Sequence, residues 1–326
     1  MSIITFKQAI SDALKEELRR DDKVFLMGED MGIYGGCFGV TAGFLDEFGE
    51  ERIMDTPISE GGFTAMAVGA AMKGYRPVVE YMFSDFCTVA MDAIVNQAAK
   101  SRFMLGGQVK VPLVIRTPSG SGTGAAAQHS QSLEAWFCHV PGLTVIAPSS
   151  PYDAKGLLKA AIRSDNPIMF YEHKIGYSVK GEVPDEEYVL PIGKADIKRE
   201  GKDVTIISYA YTLQKCLKAA EMLEKDGIDA EVLDLRTVSP LDKEAIIKSV
   251  SKTGKAFITH EGVQKFGVGA EVSSIITDSE AFFHLDRPVR RFGGADDIPI
   301  PYSPKLEAQV VPQVETIYQG VKDLLK

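Results

Sequence analysis

Glu60 and His129 are the two side chains whose setting most suggests chemistry. Glu60 closes the run Asp55-Thr56-Pro57-Ile58-Ser59-Glu60, and the residues after it, 64–72, are nearly all small. Small residues let a ligand or another helix come close. Ser59 is placed to offer its side-chain oxygen to the start of the helix that follows. A carboxylate heading an apolar helix must find a partner or shift its pKa upward, because burying a lone charge is expensive. A raised pKa suits a residue that moves protons at neutral pH. The alternative is a first-turn glutamate favoured by the helix dipole. His129 ends a loop of Pro, Ser, Gly, Thr and Ala at 118–127 and opens a helix. It is either a group beside a ligand path or a cap on its own helix.

The remaining histidines are less suggestive. His139 precedes Pro141-Gly142 and reads as structural, and His173 follows a strand. His260, at a strand end before Glu261-Gly262, is placed to face an interface or a substrate path, and His284 reads as a surface residue. No HExxH or paired-histidine spacing indicates a metal. No G-x-S-x-G elbow is present, which disfavours a hydrolase triad. The glycine-rich stretch 32–39 has neither GxGxxG nor a Walker lysine, and reads as a flexible surface loop. Of Tyr81, Phe83 and Phe86, one at the end of a strand is positioned to stack on a flat heterocycle.

Elements that would position these residues alternate along the chain. Periodicity predicts helices over 5–20, 41–48, 64–72, 87–103 and 151–163, and strands over 24–28, 77–82, 109–117, 143–148 and 167–172. A second alternation follows, with strands over 204–209, 230–235 and 256–260 and helices over 212–225, 242–250, 271–278 and 311–325. This order predicts an α/β protein with a parallel sheet covered on both faces. Residues 1–178 form the expected first domain, 179–202 a charged, irregular linker, and 203–326 a smaller α/β domain. In such sheets ligands sit beyond the carboxyl ends of the strands. Glu29, Glu60, Phe86 and the loop before His129 all follow strands, and are expected to line one edge.

Composition narrows the class further. The 326 residues carry 45% hydrophobic and 25% charged side chains, normal for a globular protein. A net charge of −9 without an acidic tail disfavours nucleic acid as the main partner. No run of about 18 uncharged apolar residues occurs, so no membrane span is expected. The N-terminal residues lack a signal-peptide layout, and Cys37, Cys87, Cys138 and Cys216 lie far apart. A cytoplasmic protein with reduced thiols is the expectation.

Together these motifs carry a family pattern. Residues 55–60 (DTPISE), Gly69-Ala70-Ala71, Asn96-Gln97-Ala98-Ala99-Lys100 and residues 126–132 (AAQHSQS) strongly resemble the β subunits of thiamine-diphosphate-dependent 2-oxo acid dehydrogenases. So do Pro141-Gly142-Leu143, residues 153–158 (DAKGLL), Asp234-Leu235-Arg236-Thr237 and Ser239-Pro240. The resemblance runs from about residue 4 to the C-terminus, several long motifs falling in order. It implies a transketolase-type pyrimidine-binding domain followed by a transketolase C-terminal domain. It assigns Glu60 to the cofactor's aminopyrimidine, Phe86 to the ring packing on it, Ile58 and Met82 to neighbouring cofactor contacts, and His129 to the reacting carbon. It also implies a potassium site from the carbonyls of Leu113, Ala161, Ile162 and Ser164 with Asn166, although Ser164 stands where some relatives have Asp.

One absence is informative. Relatives that hold the diphosphate and magnesium use Gly-Asp-Gly followed by Asn-Asn, and neither occurs here. The resemblance therefore implies an α subunit that supplies the other half of the site, in a heterotetramer of two α and two β chains. It further implies acyl transfer to a lipoyl domain and association with the acyltransferase core. Residues 193–204 lean toward the pyruvate and acetoin enzymes. A branched-chain 2-oxo acid enzyme, or a subunit that mainly docks the core, is the alternative.

Overall fold

A computed structural model describes residues 1–326. They fall into two units: the first is Met1–Ser119, Trp136–Ile146 and Ser150–Ile192, and the second is Gly120–Ala135, Ala147–Ser149 and Gly193–Lys326.

The first unit contains β1 (Ser2–Thr5), α1 (Phe6–Arg20), β2 (Val24–Gly28), α2 (Phe44–Phe48), β3 (Ile53–Asp55), α3 (Glu60–Met72) and β4 (Arg76–Glu80). After a 3₁₀ turn at Ser84–Thr88 and a π-turn at Ala93–Ala98 come α4 (Ala99–Met104) and β5 (Val114–Ser119). Then follow α5 (Glu134–Cys138), which begins in the second unit, β6 (Thr144–Ile146), α6 (Pro151–Arg163), β7 (Ile168–His173) and β8 (Lys180–Val183). Strands of this unit lie in the order β6-β7-β5-β4-β2-β3, and each neighbouring pair is parallel. The strands β2, β5 and β7 are buried along their whole length, as apolar runs covered on both faces require. Helix α1 turns Phe6, Ile10, Leu14 and Leu18 into the core and meets Leu157, Leu158, Ala161 and Ile162 of α6. Thr5 caps α1 by accepting from Gln8 N, and Ser150 caps α6 by accepting from Asp153 N, with Pro151 in the first turn.

The second unit contains β9 (Asp196–Arg199), β10 (Val204–Ser208), α7 (Ala210–Lys225), β11 (Ala230–Asp234), β12 (Thr237–Ser239) and α8 (Lys243–Thr253). It continues with β13 (Ala256–Val263), α9 (Val268–Thr277), β14 (Arg290–Gly294), α10 (Pro304–Val310) and α11 (Val314–Leu325). Its sheet runs β14-β13-β10-β11-β9, parallel except for the antiparallel edge strand β9. Leu213, Cys216, Ala220, Leu223, Ile317 and Val321 from α7 and α11 pack on Val204, Ile206 and Val232. No helix is long and apolar enough to cross a membrane.

Three local differences from the sequence reading bear on the site. Helix α3 starts at Glu60 rather than at residue 64, and Ser59 makes no side-chain capping bond. The expected helix over 87–103 is a 3₁₀ turn followed by a helical run with a π-turn at 93–98. Such π-turns insert one extra residue per turn and are frequent at functional sites. This one carries most of the Asn96-Gln97-Ala98-Ala99-Lys100 motif. Strand β5 begins five residues later than predicted, at Val114, where pairing with Val78 and Ile168 starts.

Candidate active site

Three adjacent parallel strands, β4, β2 and β3, direct their carboxyl ends to one edge of the first unit. Glu29 directly follows β2, Glu60 follows β3 after a short turn, and Met82 and Phe86 follow β4. That edge is where ligands bind in open parallel sheets.

Two carboxyl groups are buried there. Glu60 is 5% exposed and Glu29 is 4% exposed. Burial pushes the Glu29 carboxyl up to about 7, and the charges of Glu60 and Asp30 add to the rise. Glu29 Oε1 is fully shielded and has no hydrogen-bond partner. A buried acceptor left in that state costs roughly 1–3 kcal/mol, which a ligand donor would recover. Behind α3, Thr64 Oγ1 shares a 2.6 Å hydrogen bond with the Tyr81 hydroxyl, and Phe63 packs on the Tyr81 ring. Burial holds that phenol well above its ordinary range, so Tyr81 is a neutral wall.

The aromatic turn is built in layers. Phe86 and Phe83 meet edge to face with ring centroids 5.8 Å apart. Phe83 in turn contacts Phe38 at 5.9 Å, and Lys174 Nζ lies 5.1 Å from its centroid. Met82 and Phe86 are half-buried, whereas Ile58 is 81% exposed.

Beneath the turn lies a buried ion cluster. Arg116 of β5 donates to Glu80 of β4 at 2.5 Å and forks onto Glu172 of β7 at 2.7 and 2.8 Å. Tyr177 donates to the same Glu172 at 2.7 Å. Two carboxyls flank one guanidinium, and burial raises the Glu80 pKa. The cluster ties the ends of three neighbouring strands together.

The glycine-rich stretch 32–39 is not a loose loop. Gly32 N–H donates to Asp55 Oδ1 at 2.7 Å, Gly36 N–H to Asp30 O, and Thr41 Oγ1 to Met31 O. Gly36 has φ +81°, and a Cβ there would lie 2.7 Å from Glu80 Oε1. Glycine is favoured there by conformation. Ile33 and Tyr34 remain exposed at the tip of the stretch.

His129 lies in the second unit by its packing, and it does not open a helix as expected, since α5 starts only at Glu134. It is half-buried, and its N–H donates to Ala126 O at 3.2 Å. Gly120, Gly122, Gly124 and Ala126 all have positive φ, at +84°, +98°, +67° and +61°. The small residues before His129 thus serve a defined alternating backbone, with a strained alanine at its end. His260, expected to face an interface or a substrate path, is instead a buried neutral strut. Its Nε2 accepts from Gly269 N and its Nδ1 bonds Gly262 O, and burial pushes its pKa down to about 4.

The positions assigned to potassium gather around the turn after α6. Arg76 Nη1 donates to the carbonyls of Ile162 and Ser164 at 3.0 and 2.9 Å. Arg102 donates to Asn166 Oδ1 at 2.6 Å, while Leu113 O accepts from Ile168 N and Ala161 O from Ser164 N. A carbonyl oxygen has a second lone pair, so this neutral oxygen set retains acceptor capacity for a monovalent cation beside the guanidinium. No group of three or more His, Cys, Asp or Glu side chains is placed to hold a metal.

Comparison with known proteins decides the family. Residues 2–180 match the transketolase pyrimidine binding domain, and residues 193–317 match the transketolase C-terminal domain. The chain is 48% identical over 325 residues to the 2-oxoisovalerate dehydrogenase subunit beta of Bacillus subtilis, covering 99% of both chains. The chain belongs to the E1 β subunits of the 2-oxo acid dehydrogenases. It is also 49% identical to the pyruvate dehydrogenase E1 component subunit beta-1 of Oryza sativa, covering 98% of this chain and 86% of that one. The corresponding subunit of Saccharomyces cerevisiae is 47% identical, with 99% and 89% covered. A solved split gene transketolase, described as an inactive beta4 tetramer, superposes with a TM-score of 0.81 at 22% identity, covering 99% of this chain and 98% of that one. That likeness shows the fold. This E1 β chain is thus a subunit of an oxidoreductase with transketolase-type domains in the expected order.

The site set read from sequence is unevenly distributed. Glu60, Met82 and Phe86 follow neighbouring strands of one edge, with Ile58 on the turn before Glu60. Glu29 was legible as a residue after a strand, but nothing in its sequence distinguished it from an ordinary turn acid. Its shared burial with Glu60 is the signal that singles it out.

Proposed function

We propose that this E1 β chain holds the pyrimidine end of thiamine diphosphate at the edge formed by β2, β3 and β4. The observation that carries the proposal is the pair of buried carboxyls, Glu60 and Glu29, at the same sheet edge as the half-buried Met82 and Phe86. When bound, thiamine diphosphate would supply a carbon nucleophile at its thiazolium ring, the imino tautomer of its pyrimidine serving as the proton acceptor. Glu60 would hold the pyrimidine ring nitrogen and exchange a proton there. Glu29 Oε1 would accept from a donor on the same heterocycle, which would satisfy its orphaned oxygen. Phe86 packs on the ring face, Met82 and Ile58 border it, and Tyr81 and Phe63 keep water from the back of α3. The role proposed for His129 is to donate to the substrate oxygen, or to the departing lipoyl sulfur, during acyl transfer.

The α subunit provides the diphosphate and magnesium contacts, in an assembly of two α and two β chains that acylates a lipoyl domain on the acyltransferase core. Pyruvate or acetoin is the proposed substrate, and a branched-chain 2-oxo acid is the alternative. Comparing kcat/KM for the three with one purified complex separates them. The carbonyls of Leu113, Ala161, Ile162 and Ser164, with Asn166, are proposed to hold potassium. The decisive variant is Glu60→Gln in the assembled enzyme. It is expected to lower turnover by about 10²–10³ with the melting temperature unchanged, the scale of losing one contact to developing charge. Near wild-type turnover with saturated cofactor would make Glu60 a first-turn acid only.

A further inference from the structure

The loop that carries His129 is held from behind by two carboxylates far away in sequence. Glu261, on β13, accepts from the backbone N–H of Ser121 at 2.5 Å. Glu307, on α10, accepts from the backbone N–H of Gly122 at 2.6 Å. All of these residues belong to the second unit. The two N–H groups are consecutive, so the two carboxylates grip one point of the loop from two different elements. Both Glu261 and Glu307 are buried, as is Ser121. Hydrogen bonds from a backbone N–H to a carboxylate are short and about twice as strong as neutral ones.

The rest of the loop transmits that grip. Gly120 N–H closes the neck of the loop on Gln131 O at 3.3 Å. Between neck and histidine, left-handed conformations alternate at 120, 122, 124 and 126, which gives the loop a defined path. Gly262, next to Glu261, packs on the far side of the neck, where an added Cβ would lie 3.4 Å from Ser132 O. The charges around the grip are few. Lys215 Nζ, tied to Pro312 O at 2.7 Å, lies within electrostatic reach of both Glu261 and Glu307. Glu134, at the start of α5, is buried beside Glu261, with one oxygen lacking a hydrogen-bond partner. One ammonium and three carboxyls therefore meet behind the loop.

We propose that Glu261 and Glu307 are positioning residues for His129, fixing its loop through the backbone N–H groups of Ser121 and Gly122. The proposal rests on the reading of His129 given above. Glu261→Ala removes the acceptor, whereas Glu261→Gln keeps an amide oxygen able to accept the same N–H. In the complex co-expressed with its α partner, Glu261→Ala is expected to slow lipoyl-domain acylation at least tenfold more than dye reduction. Glu261→Gln is expected to stay within threefold of wild type in both assays, and Glu307→Ala to resemble Glu261→Ala. Because the carboxylates act through His129, adding Glu261→Ala to His129→Ala is expected to cost nothing further. Full additivity in that double variant, or equal losses for Gln and Ala, would overturn the proposal. A His129→Ala enzyme within threefold of wild type in both assays would remove the reading of His129 instead. Amide exchange over residues 120–131 then judges the grip by itself: faster exchange in Glu261→Ala retains it, and unchanged exchange removes it.

Discussion

Glu29 and Glu134 share one property that makes a prediction about pH. Each is buried, each has one oxygen without a hydrogen-bond partner, and each is pushed from an ordinary 4.5 up to about 7, chiefly by burial. Between those two values the folded chain binds more protons than the unfolded chain, so stability falls as pH rises through that window. Glu134→Gln keeps the shape without the charge. It is expected to flatten the fall in urea midpoint between pH 5 and pH 8 without lowering the midpoint at pH 5. An unchanged slope would mean that Glu134 is charged and compensated in the fold. At this scale the sequence could single out as candidates only residues that carry their own motif, as Glu60 and His129 do. It was silent on Glu261 and Glu307, because the atoms they hold lie 140 and 185 positions away along the chain. No local pattern encodes such a pairing.

Elements with strong periodicity were readable, and short ones were not. Helices α1, α6 and α7 match the predicted ranges within a few residues, because each has an apolar stripe wide enough to define a period. The antiparallel pair β1 and β8 and the edge strands β9 and β14 were missed, being four or five residues long and largely exposed or half-exposed. The glycine-rich stretch 32–39 was misread as flexible because its glycines signalled freedom, whereas they answer close approach. The same logic applies at the end of β2. A Cβ on Gly28 would lie 2.5 Å from the carbonyl oxygen of Glu80 and 2.8 Å from Met31 Sδ. Backbone cannot yield as a side-chain tip can, so Gly28→Ala must spread β2 from β4. A loss of about 1–3 kcal/mol in unfolding free energy is expected, the usual cost of overpacking. Cofactor affinity is expected to weaken with it, because Glu29 is the next residue. Measured stability within 0.5 kcal/mol of wild type would show that the strand end relaxes freely.

The potassium proposal belongs to the same scale, since it concerns the turn that joins α6 to β7. Arg76 reaches two of its carbonyls from the start of β4 and also contacts Asp165 at 3.0 Å. If an ion shares those oxygens, potassium chloride will raise the melting temperature above that in choline chloride of equal ionic strength. Sodium, smaller than the carbonyl ring favours, will do so less. Equal melting in all three salts would leave the turn to its protein cations, Arg76 and Arg102.

On the proposed reading, the whole molecule supplies half of a site. Its first unit gathers groups suited to a heterocycle: two buried carboxyls, an edge-to-face aromatic pair and a helix start of small residues. Binding a diphosphate demands different chemistry, a divalent cation or several convergent cationic and backbone donors. The chain contains no Gly-Asp-Gly triplet and no Asn-Asn pair, and no acidic cluster places three metal-binding side chains together. The heterocycle contacts alone bury a modest ligand area, so their binding energy is small beside the cost of immobilising a flexible cofactor. Titrated with thiamine diphosphate and magnesium, the isolated chain is therefore expected to bind at least 100-fold more weakly than the complex with its α partner. It is also expected to show no decarboxylation. Thiamine lacking the diphosphate sharpens the test. If this chain contributes only the pyrimidine half, the isolated chain will hardly distinguish thiamine from thiamine diphosphate, whereas the complex will strongly prefer the latter. A clear preference for the diphosphate by the isolated chain would mean that it holds both ends of the cofactor, and the division of the site between two subunits would have to be abandoned.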